Sequence, residues 1–279
     1  MTNKLYISAD IEGVAGICAP IEINKGSGAE YAPFSAQMTA EVAAACSGAY
    51  SAGVDAIVVK DAHWTARNID QTKLHAPAGK SLHLIRGWSG HPFMMVQELD
   101  NSFRAAAFIG YHSAGSSGGN PLSHTFSGLQ FHQVRLNDMV ASELLLYGYA
   151  AATVQVPLVF LSGDKVICEE GRRLFAGIET VETLTGIGNS VRTILPSESI
   201  RLIEDGVQKV LSRKLPPVPV LPKDFSLRIT FSRPGIAYAK SFYPQVKQVS
   251  DNELVLETKK YLDVLAFVVY AANFSSSQA

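Results

Sequence analysis

Residues Ser8 to Gly13, SADIEG, place two acids two positions apart, Asp10 and Glu12, just after the apolar run KLYI. Side chains of an extended chain alternate faces, so positions i and i+2 point the same way. Two carboxylates side by side at the mouth of an apolar element repel unless one keeps its proton or a cation lies between them. Histidine is the commonest partner of carboxylates around a metal. Two histidines stand at comparable places, His63 in KDAH and His112 in GYHS. His124, in LSHTFSG, follows His112 across the Gly- and Ser-rich stretch SAGSSGGNPLSH and can fold back over the same region. Glu143, in ASELLL, is the only acid of a long apolar region. It either caps a helix N-terminus or reaches a cation. Asp61 either orients a ligand imidazole or caps a turn.

The elements that must position these groups read as short β-rich apolar runs alternating with helical patterns. The strands expected are KLYISAD, DAIVVKDA (Asp55 to Ala62), SLHLIRG (Ser81 to Gly87), RAAAFIGYH (Arg104 to His112) and VPLVFLSGD (Val156 to Asp164). Near-continuous apolar runs suit parallel strands covered on both faces. FSAQMTAEVAAACSGAYSAG is an Ala-rich helix ending at Gly53, PFMMVQELDNSF a short helix, and QFHQVRLNDMVAS a turn at Asn137-Asp138 feeding a helix from about Ala141. The fold class expected is therefore α/β: a mainly parallel sheet flanked by helices. On this map Asp10, Glu12, His63 and His112 all fall at carboxyl ends of strands, where open α/β sheets bind ligands. His75, His83, His91 and His132 do not, and read as surface or structural residues.

The last third changes character. NSVRTIL reads as a strand, and SESIRLIEDGVQKVLSRK as a helix with Ser197 at its N-cap. LPPVPVLPKD is a stiff, Pro-rich connector. FSLRITFS and ELVLET, with the closing helix KKYLDVLAFVVYAANF, form a smaller C-terminal α+β appendage. The expected division is 1–213 for the catalytic domain and 214–279 for the appendage.

The totals exclude several classes. With 24 Lys and Arg against 25 acids in 279 residues and no basic block, nothing suggests a grip on nucleic acid. Three widely spaced cysteines make neither a disulfide framework nor a zinc knuckle, which favours a reducing compartment. MTNKLYISAD reaches an acid too soon for a signal-peptide core, so the expected location is the cytoplasm. The uncharged run Leu144 to Gly163 is long enough to span a membrane, but Thr153, Gln155 and Pro157 interrupt it, and a buried helix followed by a buried strand is expected instead.

SADIEG is the S-x-D-x-E-G signature of the zinc-dependent D-aminopeptidase family, which this chain resembles. The resemblance runs in order through DAH, GYH, SH, the Glu143 helix and SGD, covering the first two hundred residues well and the tail in outline. It implies two zinc ions per chain. Asp10 bridges them, Glu12 and His63 complete one site, His112 and Glu143 the other, and His124 is a catalytic histidine rather than a ligand. It further implies hydrolysis of short peptides from the N-terminus, a preference for D-amino acids, and large homo-oligomeric rings with a decamer as a candidate size. Lys60 before DAH, and Ser142 where the family has Gly, depart from the pattern without removing a ligand. The rivals are an amidase or L-peptidase on the same scaffold, and a non-catalytic, metal-dependent peptide-binding protein.

Overall fold

A computed structural model describes residues 3–272. The chain opens with β1 (Lys4–Ala9), a one-turn α1 (Pro20–Ile23) and the long α2 (Ala32–Ser51), which Gly53 ends at φ 84°. Next come β2 (Ala56–Asp61), β3 (Ser81–Ile85) and β4 (Ala105–Tyr111). The hairpin β5 (Phe131–Leu136) and β6 (Met139–Val140) precedes α3 (Glu143–Thr153), β7 (Leu158–Asp164), α4 (Lys165–Leu174), β8 (Glu179–Ile187) and β9 (Ser190–Thr193). After α5 (Pro196–Leu211) the chain forms β10 (Phe225–Phe231), α6 (Pro234–Lys240), β11 (Val246–Ser250), β12 (Glu253–Thr258) and α7 (Tyr261–Ala271). The last residues of the expected closing helix, from 273 on, lie outside the described residues.

The five expected parallel strands form the heart of a seven-stranded sheet, ordered β3-β2-β1-β4-β7-β8-β9, with only β9 antiparallel to its neighbour. The order reverses between β1 and β4. That is the topological switch point, where a crevice opens beyond the carboxyl ends of the strands. Leu5, Ile7 and Ala9 face an apolar cluster with α2 and α5, while Tyr6, Phe108 and Tyr111 face one that includes α3 and α7. Both faces are thus covered, as the unbroken apolar runs require.

A second, antiparallel sheet has the order β11-β12-β10-β5-β6, so two of its strands come from residues 131–140 and three from the C-terminal segment. Leu227, Ile229, Leu254 and Leu256 join the cluster around α3.

Several local expectations need correction. The stretch QFHQVRLNDMVAS does turn at Asn137-Asp138, at φ 46° and 64°, but it turns as a β-hairpin before α3 begins. Two consecutive positive φ values are what a tight hairpin turn needs. PFMMVQELDNSF holds only a 3₁₀ turn at Met94–Val96, because Met94 and Glu98 take positive φ values that no α-helix tolerates. Ser197 is not an N-cap: the cap is Leu195, two residues earlier, and Pro196 opens α5. The Leu144 to Gly163 run divides into α3 and β7, and no helix among the described residues is long and apolar enough to cross a membrane.

Candidate metal centre

The switch point collects the groups singled out above. Asp10 follows β1, His63 follows β2, His112 follows β4 and Glu143 opens α3. With Glu12, all five are buried, at 5% exposure or less. Asp10 faces two ways: Oδ1 lies 3.3 Å from His63 Nδ1, and Oδ2 lies 3.5 Å from His112 Nε2. Glu12 Oε2 is 3.1 Å from His63 Nδ1, and Glu143 Oε2 is 3.8 Å from His112 Nε2. Donor atoms form three overlapping groups, each within 4.8 Å: Asp10, Glu12 and His63; Asp10, His112 and Glu143; Glu12, His112 and His124. His124 is partly exposed, and its ring stacks on that of His112 at 4.5 Å and 14°.

Close backbone approach makes this geometry possible. Asp10 N donates to Ile109 O at 2.8 Å and Gly13 N to Gly110 O at 2.9 Å, so the loop after β1 lies flat against the end of β4. A Cβ on Gly13 would sit 1.9 Å from the Tyr111 carbonyl oxygen, and one on Gly110, at φ 70°, would sit 2.3 Å from that of Asp10. The glycines of SADIEG and GYH are therefore steric requirements of the site.

Backbone carbonyls fix which nitrogen each histidine presents. His63 Nε2 is 3.0 Å from Ile23 O, His112 Nδ1 is 3.0 Å from Ser113 O, and His124 Nδ1 is 2.9 Å from Leu122 O. A carbonyl only accepts, so each of these nitrogens carries the proton. His63 Nδ1, His112 Nε2 and His124 Nε2 are left for the centre. Phe126 N donates to Glu143 Oε1 at 2.6 Å, which leaves Oε2 facing inward.

The charges do not balance without an added cation or protons. Burial, then the Glu12 charge, raises the Asp10 carboxyl well above its ordinary range. Burial also works against ionised Glu12, but the His63 charge and hydrogen bond outweigh it and hold Glu12 well below its range. Burial opposes the charged forms of both imidazoles. The Glu12 charge with Asp10 and Glu12 hydrogen bonds overcomes it at His63, and the Glu143, Glu12 and Asp10 charges overcome it at His112, raised to about 9. His112 Nε2 is nonetheless buried with no hydrogen-bond partner, and Glu12 Oε2 has only the 3.1 Å approach of His63 Nδ1. Carboxylate and imidazole ligand atoms converging in a buried crevice, with His112 Nε2 lacking a hydrogen-bond partner, fit a zinc centre.

Other polar residues position this set, and spacing alone does not reveal them. Asp61 accepts from Asn68 N at 2.5 Å, Ile69 N at 2.9 Å and Asn68 Nδ2 at 2.8 Å, while Asn68 Nδ2 also donates to His63 O at 2.7 Å. Of the two roles open to Asp61, it takes the loop-capping one. Ser8 Oγ donates to Met95 O at 2.7 Å and accepts from Tyr111 OH at 2.8 Å, clamping β1 to β4. Asn120 Nδ2 donates to Glu12 O at 2.9 Å, and Asp164 Oδ2 accepts from Ser113 N at 2.6 Å. The clue available in sequence was polar side chains beside apolar strand ends, which must find partners when buried.

The two departures from the family pattern are absorbed by other contacts than the converging carboxylates and imidazoles. Lys60 Nζ donates to Gly87 O at 2.6 Å and lies 4.0 Å over the Trp88 ring. Ser142 caps α3 by accepting from Leu145 N at 3.0 Å and donates to Glu170 Oε1 at 2.6 Å. His75, His83, His91 and His132 are exposed, as expected.

Comparison with known proteins agrees with this geometry. The chain is 31% identical over 245 residues to a D-aminopeptidase of Bacillus subtilis (strain 168), covering 86% of each chain. Its fold superposes on the zinc-dependent D-aminopeptidase DppA from Bacillus subtilis, described as a self-compartmentalizing protease, with a TM-score of 0.88, 26% identity and 98% of each chain covered. The family model described as D-aminopeptidase matches residues 3–270, and with SADIEG, DAH and GYH converging on one buried crevice, the chain belongs to the D-aminopeptidase family.

Proposed function

We propose that this chain is a zinc-dependent aminopeptidase that removes N-terminal residues, D-configured by preference, from short peptides. Asp10, Glu12 and His63 would hold one zinc ion and Asp10, His112 and Glu143 a second. The observation that carries this reading is the two-faced placement of Asp10, one oxygen toward His63 and the other toward His112. When bound, zinc supplies Lewis acidity to the scissile carbonyl and to the attacking water.

The chain's own groups do the rest. The carbonyls of Ile23 and Ser113 keep the ligand nitrogens of His63 and His112 aimed inward. His124 Nε2 takes up the proton released as water adds to the carbonyl and hands it to the departing amine. Leu122 O holds the ring for this transfer, and stacking on His112 keeps it beside the converging carboxylates and imidazoles.

His124→Ala is expected to keep both metals and to lose about 10²–10⁴-fold in kcat. A second reading follows from the group Glu12, His112 and His124, in which His124 is itself a ligand. Zinc analysis of the variant separates the two: a stoichiometric loss of metal favours the ligand role. Matched D- and L-alanyl oligopeptides test the reaction itself, and release of free D-alanine by the zinc-loaded chain is the expected result. Faster cleavage of the L-peptides would favour the L-peptidase alternative, and tight binding without product would favour a binding protein.

The proposed assembly is a homo-oligomeric ring, with a decamer as candidate size, and the description of DppA as self-compartmentalizing supports it. The proposed location is the cytoplasm, which the free thiols Cys18, Cys46 and Cys168 suit.

A further inference from the structure

We propose that a basic depression beside the metal centre binds the C-terminal carboxylate of the peptide, so that the chain selects short peptides with a free carboxyl end. This rests on the aminopeptidase reading above. The depression has a volume of about 300 Å³, and its wall includes Lys25, Arg67 and Arg86 together with Tyr31, Asp70 and Thr72.

Topology puts it on the right edge. Lys25 lies in the segment after β1, Arg67 in the loop after β2, and Arg86 directly after β3. All three cations therefore sit beyond carboxyl ends of strands, as the metal-ligating residues do, but displaced toward β3. The connection is physical: Tyr31 OH donates to Asn68 Oδ1 at 2.8 Å, and Asn68 Nδ2 donates to His63 O at 2.7 Å. One wall of the depression is thus the loop that holds His63.

The charges there are poorly matched within the chain. Lys25 Nζ donates to Arg67 O at 2.9 Å, which fixes the ammonium without neutralising it. Asp70 is the one acid of the wall, and its Oδ1 already accepts from Thr72 N at 3.0 Å and Thr72 Oγ1 at 2.7 Å. Neither Arg67 nor Arg86 forms an ion pair among the described residues, although the whole chain has a formal charge of −1. Two guanidinium groups and an ammonium around a small open depression are suited to a carboxylate, which guanidinium binds through paired hydrogen bonds.

Length selects the ligand. Adjacent strands lie about 4.8 Å apart, so β1 to β3 spans roughly 10 Å. An extended peptide covers about 3.3–3.6 Å per residue. A peptide of about three residues therefore reaches from the metal centre to the depression, while the carboxyl end of a longer one overshoots it.

The test compares D-alanyl-D-alanyl-D-alanine with its C-terminal amide as substrates of the zinc-loaded chain. The expected result is a KM about tenfold lower for the free acid with a similar kcat. In the Arg67→Met/Arg86→Met double variant the acid-over-amide ratio collapses to near one, while Arg67→Lys retains part of it. Equal KM values for acid and amide in the unaltered chain would overturn this proposal and leave the aminopeptidase reading standing. So would a ratio that survives the double variant, or a double variant that changes the size of the assembly, which would make the depression a contact between copies. Failure to cleave either peptide would instead strike the aminopeptidase reading, and this proposal with it.

Discussion

Replacing Asp61 with alanine separates the support of the metal centre from its ligands. The carboxylate is fully buried and accepts from two backbone N–H groups, of Asn68 and Ile69, and from the Asn68 amide. The amide keeps its bond to His63 O, so the unpaired groups are the two backbone donors. A buried donor left unsatisfied costs about 1–3 kcal/mol. With some water entering the space, Asp61→Ala is expected to destabilise the fold by about 3 kcal/mol. The loop it releases carries His63, so zinc affinity should fall about 10–100-fold, the range for losing polar support behind a ligand. Asp61→Asn keeps the volume and one accepting oxygen, and should show an intermediate loss of both. Urea unfolding gives the first quantity and competition with a chelating dye the second. An Asp61→Ala protein within about 0.5 kcal/mol of the parent, with zinc affinity unchanged within about twofold, would refute the reasoning.

Two further outcomes follow from the same structure. Gly13→Ala should cost more than about 4 kcal/mol or abolish folding, because its Cβ meets a backbone oxygen that cannot swing away; a stable, zinc-binding Gly13→Ala protein would contradict the close approach of β1 and β4. The metal-free protein should lose stability as pH rises from about 6.5 to 9. His63 and His112 have raised values in the fold, so their contribution is complete below the unfolded histidine value and lost as pH passes the folded one, about 9 for His112. For His112 this amounts to about 3 kcal/mol. Zinc displaces those protons, so the loaded protein should lack this loss, and its apparent zinc affinity should rise with pH. Unfolding curves with chelator and with zinc across this range check both.

The parallel half of the fold was legible because its strands are buried on both faces and read as unbroken apolar runs between turn signals. The strand-end placement of Asp10, His63 and His112 followed directly. β8, in the polar stretch ETVETLTGI, carries no such signal, since its partly exposed face admits threonine and glutamate. β5 was hidden for a different reason: β10 and β6 flank it in the sheet, but the pairing with β10 spans some ninety residues of chain. The proposed ligand types were readable from the motif, whereas Asn68, Asn120 and Tyr111 matter through side-chain hydrogen bonds to particular partners. Spacing cannot encode such contacts. Ser197 misled because a serine followed by helical periodicity resembles a cap, while Pro196 had already set the start of the helix.

Zinc titration of the full chain followed by anomalous diffraction bears most directly on the central claim. The account predicts two ions per chain, both bonded to Asp10, one sharing it with Glu12 and His63 and the other with His112 and Glu143. A single ion, or two ions that leave Asp10 unbound, would contradict it.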